Sequence, residues 1–178
     1  STRPDNIDLN IVKMLKEYGV TTVELGVQSL DNKVLSLSER GYRKEEVERA
    51  VKLLKDFQIE VGIQIMPGLP GSSFKSDLQT VKEVIEMKPN FTRVYPTLVI
   101  SDTKLEKMFK NNEFVPLSLD EAVDLTSVII AMLENCKIPI IRVGLQPSED
   151  IREEGVIVAG PFHPAFRELC ESNIYRLF

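Results

Sequence analysis

The sequence predicts an α/β fold: a parallel sheet with helices on its outside, arranged as part of a (β/α) barrel. Two patterns predict it. Runs rich in β-branched and aliphatic residues alternate with stretches whose apolar residues recur at helical spacing, and that alternation favours right-handed βαβ units. The chain also writes Gly, an aliphatic residue and Gln three times, as Gly26-Val27-Gln28, Gly62-Ile63-Gln64 and Gly144-Leu145-Gln146, each closing such a run. Parallel sheets hold their ligands at the carboxyl ends of the strands. A glycine there removes a side chain where another group approaches. Any one of these glutamines, taken singly, reads first as a cap on loose backbone groups. Recurrence at equivalent strand ends points instead to a shared ligand face.

The elements follow in order. Ser1-Thr2-Arg3-Pro4-Asp5, with no initiator methionine, reads as the tail of a preceding element and the chain as a fragment of something longer. Ile7, Ile11, Met14, Leu15 and Tyr18 recur at helical spacing before Gly19, a C-terminal stop. A first strand is expected over 21–28, and Asp31 starts a short helical stretch. Val47, Ala50, Val51 and Leu54 mark the next helix. A second strand covers 60–66 and breaks at Pro67-Gly68-Leu69-Pro70-Gly71. A helix over 74–87 and a third strand over 91–98 follow, then a short helix holding Leu105 and Met108. Ser118 and Glu121 form a capping box before a long helix to about Asn135. A fourth strand over 138–145, an irregular stretch over 148–164 and a helix from Ala165 complete the chain. Four strands are too few to close an eight-fold barrel, which takes about 250 residues. They make an arc of one, with residues 1–110 supplying later βα units and 111–178 a helix–strand–helix extension of the same domain.

The 178 residues suit one domain, with 43% hydrophobic and 28% charged content. No apolar stretch approaches the roughly 20 residues that span a bilayer, and the polar start carries no signal peptide, so a cytoplasmic, membrane-free protein is expected. The net charge of −5 gives no overall electrostatic reason to bind nucleic acid or an anionic surface. Cys136, Cys170 and the lone His163 are scattered, without a CxxC pair, and predict no metal site. An open sheet edge, where missing strands would pair, predicts a homodimer or an exposed apolar groove.

The strand-end polar set is Gln28, Gln64, Tyr95, Thr97 and Gln146. Amides and hydroxyls recognise hydroxyls, amides or a nucleoside and are poor acids and bases at neutral pH, so no residue is assigned as catalytic. Glu24 is expected to face outward or lie at an edge. His163, flanked by Pro161 and Pro164, reads as a loop residue. The 68–71 loop has backbone N–H groups that can cradle a ligand or form a tight turn, and Ser72 or Ser73 caps the helix after it. Arg40 can clamp a carboxylate or simply face solvent.

Gly-Val-Gln-Ser-Leu-Asp (26–31), Arg40-Gly41, Met66 to Gly71 and Tyr95 to Ile100 resemble the radical S-adenosylmethionine enzymes, in particular the elongator catalytic subunit and oxygen-independent coproporphyrinogen III oxidase branches. Thr2-Arg3-Pro4-Asp5 fits the elongator branch. The resemblance covers about residues 1–110; the tail after Pro116 matches no motif of either branch. It implies a partial (β/α)6 barrel, S-adenosylmethionine as cofactor, and a [4Fe-4S] cluster held by a Cys-x3-Cys-x2-Cys stretch that would lie on a missing N-terminal segment. It further implies that Gln28 contacts the cofactor ribose and Arg40 its methionyl carboxylate. Gln64 falls where the oxidases place an aspartate, and Ser1 where the family usually has glutamate. Met66 and Tyr95 complete the implied cofactor-binding set. The parent would be an iron–sulfur oxidoreductase forming a 5′-deoxyadenosyl radical, acting on a porphyrinogen or a tRNA base by analogy, while this chain alone would be inactive. The alternatives are a complete non-redox (β/α) enzyme and a silent domain that binds a nucleoside or a partner.

Overall fold

The computed structural model describes residues 1–145 and 156–177. After a single 3-10 turn at Pro4–Asn6, the chain forms α1 (Leu9–Glu17), β1 (Thr22–Gln28), α2 (Asn32–Leu37), α3 (Lys44–Asp56), β2 (Glu60–Ile65) and α4 (Phe74–Glu86). Then come β3 (Phe91–Val94), β4 (Val99–Ile100), α5 (Lys104–Lys110), α6 (Leu119–Asn135), β5 (Ile140–Val143), β6 (Ile157–Ala159) and α7 (Phe166–Leu177).

β1, β2, β3 and β5 pair in that order, all in parallel, as the alternation predicts. One face of the sheet is apolar. Leu25, Val27, Ile63 and Ile65 are fully or nearly fully buried there against Val47, Val51 and Leu54 of α3, Val81 and Val84 of α4, and Leu125, Ile129 and Leu133 of α6. Burying each such side chain contributes about 1.5–3 kcal/mol, which explains why these helices stack on this face. The opposite, inner face carries the alternate residues Glu24, Gly26, Gln64, Arg93 and Arg142.

Side-chain caps fix where the helices begin. Asp8, Asp31, Ser73, Thr103 and Ser118 each accept a backbone N–H at an N-terminus, and Ser118 with Glu121 forms the expected capping box.

The third strand is shorter than its sequence suggests. Pro96 has no N–H to donate, so the ladder stops after Tyr95, whose N–H donates to Ile65 O at 3.0 Å. Residues 99–100 form β4, which pairs antiparallel with β6 in a second, two-stranded sheet. The irregular stretch therefore contains a strand. The Gly-x-Gln triplets are also not equivalent in register: Gly26 pairs with Gln64, and Gly62 with Glu24, an offset of one side-chain repeat. Gly144 lies beyond β5, and Gln146 lies outside the described residues. At the other edge of the sheet, Thr2 bridges β1, donating to Glu24 O and accepting from Gly26 N–H, both at 2.9 Å.

Candidate functional site

The end of β1 is bulged. Pairing with β2 runs residue for residue to Gly26↔Gln64, then jumps to Gln28↔Ile65. Gln28 has φ +65°, a left-handed conformation that costs a non-glycine residue about 1–2 kcal/mol. Its surroundings hold it there. Met66 N–H donates to Gln28 O at 2.9 Å, and Ser29 N–H donates to Val27 O at 2.8 Å. The Tyr42 hydroxyl sits 2.7 Å from Gly26 O and 2.9 Å from Val27 O, a clamp across the bulge. Burial raises the Tyr42 pKa, against the opposing pull of the neighbouring Arg40 guanidinium, as hydrogen-bond donor and as charge, and of the Arg3 charge, so the phenol stays a neutral donor.

The bulge brings the two amides together. Gln64 Nε2 donates to Gln28 Oε1 at 3.1 Å. A side chain at Gly26 would place its Cβ 3.0 Å from Gln28 Nε2, so glycine leaves room for the amide. The pair leaves one donor end, on Gln28, and one acceptor end, on Gln64, without a protein partner among the described residues.

Glu24 does not face outward, contrary to the expectation from sequence. It lies on the inner face, where its Oε2 is 2.8 Å from Arg93 Nε of β3. The distance makes an ion pair, although the Arg93 Nε–H is not aligned for a hydrogen bond. Glycine at 62 makes this face possible, because a Cβ there would meet the Phe91 ring at 2.2 Å. Gly26, Gln64, Arg93 and Arg142 thus form one lateral row across the strands.

Beside the strand ends lies a cavity of roughly 210 Å3 bordered by Arg40, Met66, Leu69, Leu105 and Met108. Arg40 Nε is buried and has no hydrogen-bond partner. Thr97 also borders the cavity, but its hydroxyl is used by Pro67 O at 3.0 Å. Glu39 and Lys104 pair at the rim. The 67–71 loop is closed on itself rather than open as a cradle: Gly68 N–H and the Ser72 hydroxyl donate to Asp77 Oδ2 at 3.0 and 3.2 Å. Burial pushes the Asp77 carboxyl up to about 6, although both donors pull it down.

The structure therefore brings Gln28 to Gln64, and Arg40 to Met66. Tyr95 is half-buried, falls on the Arg93 side by strand alternation, and does not border the Arg40 cavity. His163 accepts from Ala165 N–H at 3.1 Å, a turn contact ahead of α7. Cys136 is exposed past the end of α6; Cys170 is buried, and burial pushes its thiol up to about 12. Among the described residues no three His, Cys, Asp or Glu side chains converge as metal ligands. Sequence reasoning missed Tyr42, Asp77 and the Glu24–Arg93 pair. Tyr42 follows Arg40-Gly41 directly, but only the folded bulge gives its hydroxyl a task.

Residues 1–84 match the Radical SAM superfamily, and residues 89–176 match the Radical_SAM C-terminal domain, which places the tail that the sequence motifs left open. The tRNA uridine(34) acetyltransferase of Methanocaldococcus infernus is 40% identical over 129 residues, covering 71% of this chain and 24% of that protein. A solved structure of the archaeal Methanocaldococcus infernus Elp3 with an N-terminal deletion (1-46) superposes with a TM-score of 0.86 at 34% identity, over 99% of this chain and 41% of that one. Coproporphyrinogen III oxidase from Escherichia coli, a radical SAM enzyme, gives a TM-score of 0.66 at 20% identity over 76% of this chain and 31% of that one, a likeness of fold alone. The chain spans about a quarter of the length of these Methanocaldococcus tRNA uridine(34) acetyltransferases.

Proposed function

This chain belongs to the radical SAM superfamily, and on that premise we propose that it is the part of a radical S-adenosylmethionine enzyme that grips the nucleoside and the amino-acid end of the cofactor. The observation that carries the reading is the Gln28–Gln64 amide pair on the inner face, next to a cavity that Arg40 borders.

The residues present fit S-adenosylmethionine. An amide both donates and accepts, so the free ends of Gln28 and Gln64 suit ribose hydroxyls, and Gln64 serves there in place of the aspartate of the oxidase branch. The Arg40 Nε–H suits the methionyl carboxylate, a charge-assisted contact. Met66 joins the two regions: its N–H holds Gln28 O and its side chain borders the Arg40 cavity. Tyr95 walls the inner face beyond Arg93. None of these groups moves a proton. Their work is to orient the cofactor and exclude water.

When bound at a [4Fe-4S] cluster, S-adenosylmethionine supplies a 5′-deoxyadenosyl radical that takes hydrogen from a substrate. The described residues do not fit that cluster, since they offer no converging ligand set. We assign the cluster to polypeptide outside these 178 residues, consistent with their spanning 41% of the archaeal chain they superpose on. The relatives' names suggest a tRNA uridine as the substrate of the whole protein.

The test is a titration of S-adenosylmethionine into the full-length protein and its Arg40→Ala variant. A charge-assisted hydrogen bond contributes about 1.5–3 kcal/mol, so the dissociation constant rises about 10- to 150-fold. Unchanged affinity removes Arg40 from the site.

A further inference from the structure

A second cavity, of roughly 310 Å3, opens between the N-terminal turns of α4 and α6, at the lower end of the about 300–1,000 Å3 of small-ligand sites. Three carboxylates border it, Asp77 of α4 with Glu121 and Asp124 of α6, and among the described residues no lysine, arginine or histidine does. We propose that this cavity binds an aliphatic diamine, with one ammonium on Asp77 at its floor and the other beside Glu121 and Asp124 at its mouth. It shares no bordering residue with the Arg40 cavity, and the proposal stands apart from the cofactor reading.

Helical spacing assembles the cavity. Phe74 and Asp77 stand three residues apart on α4, and Asp124 and Leu125 follow Glu121 by three and four on α6, so each set faces one way. Val81 and Val84 share a core with Leu125 and Ile129, which holds the two helices side by side. Asp77 is buried, whereas Glu121 and Asp124 are exposed. The acids therefore lie at two depths. Phe74, Leu117 and Leu125 supply apolar walls, against which a methylene chain gains by leaving water.

Asp77 is the observation that points to a cation. Its Oδ2 accepts from Gly68 N–H and from the Ser72 hydroxyl. Its Oδ1 has no partner among the described residues and is not sealed away from the cavity that Asp77 borders. No lysine or arginine among the described residues reaches ion-pair distance of this side chain. Buried charges are otherwise paired or hold a metal. Burial, and less so the Asp31 charge, push the Asp77 carboxyl up to about 6, so at neutral pH it is ionised and unanswered. An ammonium brings the missing charge and donors for Oδ1. At the mouth, the Ser118 N–H and hydroxyl hold Glu121 below the usual carboxylate range, so it too stays charged. The three acids are not placed to share one metal ion; their charge is spread along the cavity, as the two ends of a diamine are. The N-termini of α4 and α6 offset this charge by about half a positive charge each. The remainder, about two negative charges by that reckoning, matches a dication better than a monoamine.

The experiment is a calorimetric titration of putrescine into the full-length protein at neutral pH, with n-butylamine, the same chain bearing a single charge, as the comparison. Putrescine is expected to bind about 10-fold more tightly than n-butylamine or better. Asp77→Asn, which keeps an acceptor for Gly68 N–H, is expected to weaken putrescine by about 10-fold or more. The exposed pair Glu121→Gln with Asp124→Asn is expected to bring putrescine down to the n-butylamine level; glutamine still serves the Ser118 capping box. If Asp77→Asn does not fold, this second variant decides. No saturable binding of putrescine at millimolar concentration overturns the proposal. So does equal binding of the two amines, or putrescine affinity that either folded variant leaves unchanged.

Discussion

Asp77 is 5% exposed beneath the 67–71 turn, where it accepts from Gly68 and Ser72. Its folded pKa of about 6 lies above the ordinary 3.8 because burial disfavours the charged form. Between those values the folded state binds more protons than the unfolded state. Stability attributable to Asp77 therefore falls as pH rises from about 4 to about 6, by about 3 kcal/mol at most for a shift of this size. Asp77→Asn keeps an acceptor for Gly68 N–H and removes the titration. Urea unfolding of wild type and variant at pH 4 and pH 7.5 is expected to show the variant losing less stability, or gaining more, across that window. Parallel profiles would remove the buried charge from the account. Glu24 teaches a related lesson. A lone acid in a predicted strand reads as outward-facing, because burying an unpaired carboxylate is costly. Its partner, Arg93, lies two strands away across Gly62, and no local pattern announces that pair.

At the scale of elements, periodicity made the helices readable. α3, α4 and α6 appear where apolar spacing and Ser118–Glu121 capping place them. The strand cores were equally legible as β-branched runs. The β4–β6 pairing was not, since strands of two and three residues joined across the chain leave no local signature. The bulge of β1 was likewise hidden: Gly-x-Gln marks the residues, but the register jump and the positive φ of Gln28 arise from pairing with β2. Tyr42 is the element's lock. Tyr42→Phe removes the hydroxyl from Gly26 O and Val27 O, and a stability loss of about 1–2 kcal/mol is expected in equilibrium unfolding. Because Gln28 sits on the bulge and Arg40 lies beside the Tyr42 hydroxyl, S-adenosylmethionine affinity of the full-length protein should fall as well. A variant that loses stability with unchanged affinity would separate the clamp from the site.

The whole molecule is an arc of parallel strands whose apolar face is sealed by helices and whose inner face is polar. That asymmetry follows from sequence: the residues that alternate with buried valines and isoleucines are Glu24, Gln64 and Arg93. Among the described residues no helix is long and apolar enough to cross a membrane. The amides were legible because their motif repeats. The cavity was not, because its walls come from α2, the turn after β2 and α5, which only the fold assembles. The central claim is that one bound S-adenosylmethionine spans the two places, nucleoside on the amides and carboxylate at the arginine. A crystal structure of the full-length protein with S-adenosylmethionine tests it most directly. The account predicts ribose hydroxyls within hydrogen-bond distance of Gln28 or Gln64 and the carboxylate on Arg40. A cofactor bound against the helix-covered face, or on the inner face without touching these side chains, would contradict it.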